Sequence, residues 1–336
     1  MNEPLVKAFE ILIIEYINNI QILKQKKKAD DAKSLQFKIN SFSKTLKIIK
    51  SLDFEIKNGE QLKDIKGIGP GVIKRINELL QMGYIEEIKN TDINNNQFSN
   101  LMRISGIGPA KAKILLEKGM TLAKLEQNIG SADLKTYLTH HQIIGLKYLH
   151  DIEKRIPYEE ITHMETYLKN VIKEISPDLD LVICGSYRRK QPTSGDIDVL
   201  LYSNKNINYL EKFITRLKNQ KFLIAHLTEG GDTKYMGIAQ YKLGIPRRID
   251  IRYVKKEYLP SSILYFTGSG DFNKNMRVYA NKKAFKLNEY GLYKMRSDKS
   301  QGLKMELKTE KEIFEFLKIP YVEPKNRVPY YKFPKV

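Results

Sequence analysis

The chain has 336 residues, with 58 Lys and Arg against 39 Asp and Glu, a formal net charge of +19 and a pI near 9.5. That length leaves room for two or three compact units, and that charge points to a polyanionic partner, either nucleic acid or an acidic membrane surface. A single cysteine, Cys184, excludes an internal disulfide framework and suits a reducing compartment; with no apolar run of bilayer length and no cleavable-signal pattern at its start, the chain is expected inside the cell.

Residues 1–90 read as helices. Leu5, Phe9, Leu12 and Ile13 fall at i, i+4, i+7 and i+8, the apolar stripe of one helix. The run Lys24-Gln25-Lys26-Lys27-Lys28 reads first as a solvated face, with a nuclear address or a DNA-facing loop as alternatives. Leu35 through Ile49 predicts a second amphipathic helix, carrying Lys38, Lys44 and Lys47.

An internal repeat follows. Leu62-Lys63-Asp64-Ile65-Lys66-Gly67-Ile68-Gly69-Pro70-Gly71 returns 39 residues later as Leu101-Met102-Arg103-Ile104-Ser105-Gly106-Ile107-Gly108-Pro109-Ala110. Each copy predicts a helix, a hairpin and a second helix, and two copies are too few for a solenoid. Gly67, Gly69, Gly106 and Gly108 permit positive φ and leave N–H groups bare at a helix N-terminus. Such a nest suits a phosphodiester and is blind to base identity. A dinucleotide fingerprint is the competing reading, and it fails because neither copy follows a strand in a βαβ unit. A plain helix–helix turn suffices for one copy but is poor for two in so basic a chain. The pattern resembles helix-hairpin-helix motifs, which implies a grip on the DNA backbone with a monovalent cation on hairpin carbonyls. His140 and His141 are neighbours on a helix and point different ways, so structural roles are expected and no zinc. Arg155 and Pro157 mark entry into an α/β region, where Met164, Leu168, Val171 and Ile172 line a helix.

The densest chemistry lies between residues 181 and 201. Leu181-Val182-Ile183 predicts a short strand that ends at Gly185-Ser186, and Asp196-Ile197-Asp198-Val199-Leu200-Leu201 predicts the next. Alternation turns Asp196 and Asp198 to one face and Ile197 into the core. Adjacent carboxylates raise one another's pKa unless a cation lies between them, and oxygen-only ligands favour Mg²⁺. The bland alternative is an edge strand with two solvated Asp residues. The Gly185-Ser186 turn weighs against it, because that turn can hold a triphosphate beside the metals. Cys184, just before the turn, is expected as a buried strand residue rather than a nucleophile. Arg248-Ile249-Asp250-Ile251-Arg252 puts its three charges on one strand face. Alone it reads as an ion-paired surface strand; with the upstream pair, Asp250 becomes the third carboxylate of a two-metal site. Beyond Leu259-Pro260 the composition turns polar and aromatic, and Tyr265-Phe266-Thr267-Gly268 offers rings beside a glycine, or else an ordinary turn with core aromatics.

Gly185-Ser186-Tyr187-Arg188-Arg189 with Ser194-Gly195-Asp196-Ile197-Asp198-Val199-Leu200-Leu201 resembles the nucleotidyltransferase signature of the family X DNA polymerases. The likeness continues through both hairpins, His140 to Tyr148, Arg247 to Arg252, Leu264 to Ser269 and Tyr321 to Arg327. It implies a multidomain α plus α/β fold. A helical, lyase-like DNA-binding domain would span 1–90 and a second hairpin subdomain 91–150. A nucleotidyltransferase palm would span 151–259, and a small α+β subdomain for the nucleotide and nascent base pair 260–336. The implied activity is DNA-directed DNA polymerisation, as short-gap filling in base excision or break repair by a chain with no leading protein-interaction domain. A template-independent transferase and a non-catalytic DNA-binding scaffold are the alternatives, though a scaffold needs none of the three Asp residues.

The resemblance also implies ligands. Asp196, Asp198 and Asp250 would hold two Mg²⁺, with Mn²⁺ as a substitute, and Arg248 would orient Asp250. Arg155, Ser186, Arg189 and Ser194 match positions around the β- and γ-phosphates, with Gly185 and Gly195 giving backbone access. Tyr265, Phe266 and Gly268 match the sugar site, and Asn273 and Arg277 the sensors of the nascent pair. Na⁺ or K⁺ would sit on the carbonyls of Lys63, Ile65 and Ile68 and of Met102, Ile104 and Ile107. The expected partners are gapped or nicked double-stranded DNA and deoxynucleoside triphosphates, with no membrane, for a monomer in a nucleus or, if the chain is viral, in a viral factory or virion. One position departs from the family. Arg75 stands where a lyase lysine is expected, and Lys74 lies about 100° round the helix. A guanidinium cannot become the neutral amine that Schiff-base chemistry requires. Lys38 and Lys44 match 5′-phosphate-binding positions, while Gly71 and Phe37 replace a basic residue and a histidine. A 5′-phosphate dock with weak or absent lyase activity is therefore expected.

Overall fold

The computed structural model describes residues 2–25, 28–52, 54–88, 93–228, 231–328 and 331–334. Lys26 and Lys27 of the basic run lie outside the described residues. The chain divides into two compact units, Met1–Gln142 and Ile143–Val336.

In the first unit, α1 (Glu3–Gln25) and α2 (Ala29–Ser51) pack through their apolar stripes. Leu5, Phe9 and Leu12 are buried as their spacing predicts, and Ile13 is partly so. Each such side chain contributes about 1.5–3 kcal/mol of burial. Phe42 of α2 meets Phe9 and Tyr16 of α1 at ring-centroid distances of 5.9 and 5.6 Å. A 3₁₀ turn, Gly59–Leu62, leads into the first hairpin and α3 (Pro70–Met82). The second copy runs from α4 (Ile93–Met102) through its hairpin to α5 (Pro109–Glu117). Both copies start the outgoing helix on proline, whose fixed φ and missing N–H suit that position. Ile68 and Ile107 are buried and anchor the two hairpins. Two short helices follow, α6 (Leu122–Gln127) and α7 (Leu134–Tyr137), and the boundary between units falls inside α8 (His140–Lys147).

The second unit begins with α9 (Leu149–Ile152), β1 (Ile156–Pro157), α10 (Tyr158–Ile175) and β2 (Leu179–Ile183). The helical turn α11 (Gly185–Arg188), β3 (Thr193–Ser194), β4 (Ile197–Ser203) and α12 (Leu210–Asn219) follow. With β5 (Leu223–His226), β6 (Lys234–Ala239) and β7 (Arg247–Lys255) they build a sheet of order β2-β4-β7-β6-β5. Only β4 and β7 run parallel in it. Its alternation is clean. Ile197, Val199, Leu201, Ile249 and Ile251 share a core with Met164 and Leu168 of α10 and Phe213 and Leu217 of α12. The opposite face carries Leu200 and Tyr202 against α13 (Leu259–Thr267). The chain ends with α14 (Gly270–Lys282), the antiparallel strands β8 (Phe285–Asn288), β9 (Gly291–Met295) and β10 (Gln301–Lys304), and α15 (Glu310–Phe316). Their core is built on Phe272, Met276, Phe314 and Leu317.

One local expectation needs correcting. Asp196 precedes β4 instead of lying in it, because Thr193–Ser194 pairs first with Ile156–Pro157 and the chain then bends at Gly195–Asp196 to reach the main sheet. Tyr265 and Phe266 lie in the last turn of α13, rings at the end of a segment beside Gly268, and not in an ordinary turn. No helix among the described residues is long and apolar enough to cross a membrane.

Candidate active site

Asp198 of β4 and Asp250 of β7 are register partners on the parallel strands, on the face away from α10 and α12. Burial, then the charges of Asp196 and Asp250, push the Asp198 carboxyl up to about 7. Burial also raises Asp196, against the pull of Arg248, Arg155 and Arg189. Arg248 grips Asp250 with both arms, Nη2 to Oδ2 at 3.1 Å and Nε to Oδ1 at 3.3 Å. Among the described residues, no three carboxylate, imidazole or thiol side chains already converge as a ligand set. The donor chemistry nevertheless fits a hard divalent cation: oxygen atoms only, on carboxyls whose mutual repulsion a cation would relieve.

The turn before these strands is built around them. Cys184 N–H donates to the Asp198 carbonyl at 2.8 Å. Gly185 has φ +57°, and a β-carbon there would collide with the Asp198 carboxylate, so glycine alone fits. Burial pushes the Cys184 thiol to about 12, which makes it an inert core side chain. Beyond the turn opens a cavity of about 580 Å³. It gathers Gly185, Ser186, Arg189, Asp196, Asp198, Tyr265, Phe266, Gly268, Asn273 and Arg277, all singled out by the sequence. Arg189 donates from Nη1 to the Thr267 carbonyl, Asn273 from Nδ2 to the Tyr265 carbonyl at 2.6 Å. Arg277 lies 4.9 Å from the Tyr265 ring centre and 3.6 Å from the Glu289 carboxylate.

The remaining candidates stand outside that lining. Arg155 holds Thr193, by Nε to Oγ1 at 3.1 Å and Nη2 to the carbonyl at 2.7 Å. A β-carbon at Gly195 would lie 3.1 Å from Arg155 Nη1. Ser194 is buried, and its Oγ has no hydrogen-bond partner among the described residues. Asp250 faces a smaller cavity of about 200 Å³, shared with Asp198, Lys234, Arg252 and Phe266. The sequence reading missed Val278 and Asn281 in the larger cavity. Asn281 was findable, since it follows Asn273 and Arg277 at helical spacing on one face of α14.

The hairpins carry a second set of candidates. Gly67 has φ +107°, and Lys44 lies across it, so that a β-carbon would come within 2.6 Å of Nζ. Gly106 has φ +84° and faces His141 instead. The His141 ring nitrogen Nε2 lies 3.0 Å from Ser105 Oγ, and Gln142 Nε2 donates to the Gly106 carbonyl at 2.8 Å. The carbonyls of Ile65 and Ile104 each accept from the isoleucine three residues on, at 3.0 Å. Arg75 donates to Glu87 from Nε at 2.8 Å and from Nη2, and to the Gly71 carbonyl at 2.7 Å. Its guanidinium sits 5.1 Å from the Phe42 ring centre. Lys74 points to solvent, 3.6 Å from Glu78. Lys38 lies over the Tyr16 ring at 5.2 Å, and Phe37 is exposed beside it.

Four family models match successive parts of the chain: a helix-hairpin-helix domain over residues 11–85, the fingers domain of DNA polymerase lambda over 99–153, the DNA polymerase beta palm over 155–256 and the DNA polymerase beta thumb over 262–328. DNA polymerase lambda of Arabidopsis thaliana is 32% identical over 308 residues, covering 85% of this chain and 57% of the relative. The Rattus norvegicus DNA polymerase lambda is 28% identical, covering 89% of this chain and 54% of the relative. A DNA polymerase type-X family protein of Schizosaccharomyces pombe is 22% identical, covering 93% and 64% respectively. This chain thus spans between about half and two thirds of the length of these relatives. The matched segments follow one another without a break in order, over the carboxylate strands and both hairpins alike, and the chain belongs to the family X DNA polymerases.

Proposed function

We propose that the chain is a DNA-directed DNA polymerase that adds deoxynucleotides to a primer 3′-hydroxyl and fills short gaps during base excision or break repair. One juxtaposition carries the reading: Asp196 and Asp198 line the same large cavity as the Gly185–Ser186 turn and the Tyr265–Gly268 segment, with Asp250 alongside. Bound Mg²⁺, with Mn²⁺ as a substitute, supplies the positive charge that acidifies the primer hydroxyl and neutralises the phosphates. Asp196 and Asp198 would hold both ions, and Asp250 the one that acidifies the primer hydroxyl. Arg248, hydrogen-bonded to Asp250, would orient that carboxylate toward the ion. Gly185, Ser186, Arg189, Ser194, Gly195 and Arg155 cradle the triphosphate; Tyr265, Phe266 and Gly268 take the sugar. Asn273 and Arg277 read the nascent pair. Nearly all the acceleration is positioning and charge stabilisation, since no protein group forms a covalent bond.

The regions divide the labour. Residues 151–259 carry the chemistry and 260–336 the nucleotide and nascent pair. Residues 1–90 and 91–150 each hold the duplex backbone through one hairpin, at Gly67 and Gly69 or at Gly106 and Gly108. The carbonyls of Lys63, Ile65 and Ile68, and of Met102, Ile104 and Ile107, would hold a Na⁺ or K⁺ that adds positive charge to each grip. Lys38 and Lys44 dock a 5′-phosphate, so a monomer binds gapped or nicked DNA inside the cell, in a nucleus or a viral factory. The lyase step is weak or absent, because Arg75 is an ion-paired side chain and Lys74 points to solvent.

Primer extension with and without a template strand, on gapped and on open substrates, tests the reading. Templated extension that prefers a short gap with a 5′-phosphate is the expected result. Extension without template would identify a terminal transferase, and binding without extension a scaffold.

A further inference from the structure

We infer that Glu310, on the far C-terminal helix, is a positioning residue of the nucleotide cavity: it fixes the distance between the phosphate turn and the segment that carries Phe266 and Gly268. The inference rests on the nucleotide reading given above.

Arg188 and Arg189 are consecutive at the end of α11, and they part company. Arg189 lines the cavity, while Arg188 turns its fork onto Glu310, Nη2 to Oε2 at 2.8 Å and Nη1 to Oε1 at 3.2 Å. Both arginines also hold Thr267. Arg188 donates to its hydroxyl at 2.7 Å and Arg189 to its carbonyl. Thr267 is wholly buried and closes α13, between Phe266 and Gly268 in the cavity wall. The phosphate turn and the wall are therefore joined by one threonine, and Glu310 decides where one of its two arginines stands.

Glu310 is in turn held from behind. Arg327 donates to Oε1 from Nη1 at 2.6 Å, and the Tyr321 hydroxyl donates to Oε2 at 3.0 Å. Each carboxylate oxygen thus accepts two hydrogen bonds, its full capacity. The Arg327 side chain is completely buried, and its Nε donates to the Val322 carbonyl at 3.0 Å. Its own carbonyl accepts from Ser269 N–H at 3.4 Å, one residue past Gly268. A buried ion cluster is weak evidence for stability, since apolar side chains of equal volume often do as well. What it does provide is directional: every member has one place to be. The charges do not cancel, with Arg188 and Arg327 around one carboxylate. Burial, chiefly, and Arg327 hold the Arg189 pKa below the usual guanidinium range, against the pull of Asp198. Glu310 engages the two arginines behind the wall, and Arg189 is left to a polyanion in front.

Glu310→Gln tests this in the full chain. The amide keeps the shape but offers one acceptor oxygen, so the Arg188 fork opens and Thr267 loses its fixed tie. The expected result is a rise of about tenfold in KM for the nucleotide, with kcat and the Kd for gapped duplex both within about threefold of wild type. Arg188→Met should raise KM similarly, and the double variant should be no worse than either single one. Glu310→Asp, which keeps the charge and shortens the reach, should fall between. These two variants carry the test if Glu310→Gln does not fold. Binding of a fluorescent deoxynucleotide to wild type with gapped DNA and Mg²⁺ separates the two levels of argument. No binding by wild type would overturn the nucleotide reading and this inference together. Wild-type binding with unchanged KM in the variants would overturn this inference alone. A lowered KM would make Glu310 only a counter-charge, and a parallel loss of kcat, DNA affinity and Tm would make it only a core residue; either result overturns the positioning role.

Discussion

Arg75 in the first unit and Asp198 in the second are both withdrawn from solvent, and their neighbours treat them in opposite ways. Burial works against the Arg75 charge, but Glu87 outweighs it and the pKa rises. The guanidinium also has the Gly71 carbonyl and the Phe42 ring. Asp198 is surrounded by groups engaged elsewhere: Arg248 with Asp250, Arg189 with the Thr267 carbonyl. Burial and two more carboxylates leave it near 7. A charge that the fold satisfies is architecture. A charge that the fold frustrates is poised for a ligand, and perturbed carboxylates in a cleft are where chemistry is expected.

The contrast is broken most sharply at the carboxylates. Asp250→Ala or Asp196→Ala should slow nucleotide addition by about 10³-fold or more, roughly 4 kcal/mol of transition-state stabilisation. Affinity for gapped duplex, followed by fluorescence anisotropy, should stay within about twofold because the hairpins carry it. An Asp250→Ala protein that extended primers at close to the wild-type rate would end the assignment.

Frustration at Asp198 also has a stability signature. Its folded pKa is raised from 3.8 to about 7. The folded state therefore prefers the proton, and that stabilising term is present in full below 3.8 and lost as pH rises through about 7. The penalty at pH 8 is at most ~4 kcal/mol. Asp198→Asn should accordingly raise Tm in a chelator at pH 8 by roughly 5 °C or more, and by much less at pH 5. Mg²⁺ should raise the wild-type Tm and leave the variant nearly unmoved. Equal melting of both proteins in chelator at pH 8 would mean that Asp198 is not frustrated at all.

The same division explains what could be read from the sequence. Strand alternation placed Asp198 and Asp250 on one face, and the apolar positions between them confirm the register. The hairpins were legible because the motif occurs twice. Asp196 was misplaced into β4 because the short β1–β3 pairing that bends the chain before it has no periodic signature. The Arg188–Glu310 pair spans 122 positions, and nothing in either local sequence announces the other. Arg75 was recognised as a departure, but its partner Glu87 lies beyond α3 and could not be named.

A satisfied Arg75 makes its own prediction. Arg75→Ala should lower stability by about 1–2 kcal/mol, through the lost pair with Glu87 and the lost stacking on Phe42. Borohydride trapping on an incised abasic duplex should give no adduct with wild type or with Lys74→Ala. Arg75→Lys restores an ionisable amine at that position, and it is the single change expected to produce trapping. A robust adduct with wild type would show that the chain retains lyase chemistry, and its loss in Lys74→Ala would locate the nucleophile.

The smallest effects separate the two hairpins from each other. Gly67 and Gly106 both have φ in the left-handed region, at +107° and +84°, so alanine at either is strained by about 1–3 kcal/mol. Their neighbours differ in how they can respond. The Lys44 side chain over Gly67 is flexible and can swing off the new methyl group. His141, whose Cδ2 would lie 2.9 Å from a β-carbon at Gly106, is held through Ser105, and Gln142 ties down the same glycine. Gly106→Ala should therefore cost more in Tm and in duplex affinity than Gly67→Ala, by about 1 kcal/mol. Salt supplies the independent check. Lys44→Ala should reduce the slope of log K against log salt by about 1, the signature of one lost phosphate contact. Neither glycine substitution should change that slope, since an uncharged N–H donor neutralises no phosphate and so displaces no counterion from the DNA. A larger loss at Gly67, or a slope that stays put in Lys44→Ala, would mean that the lysine packs on the hairpin without touching DNA.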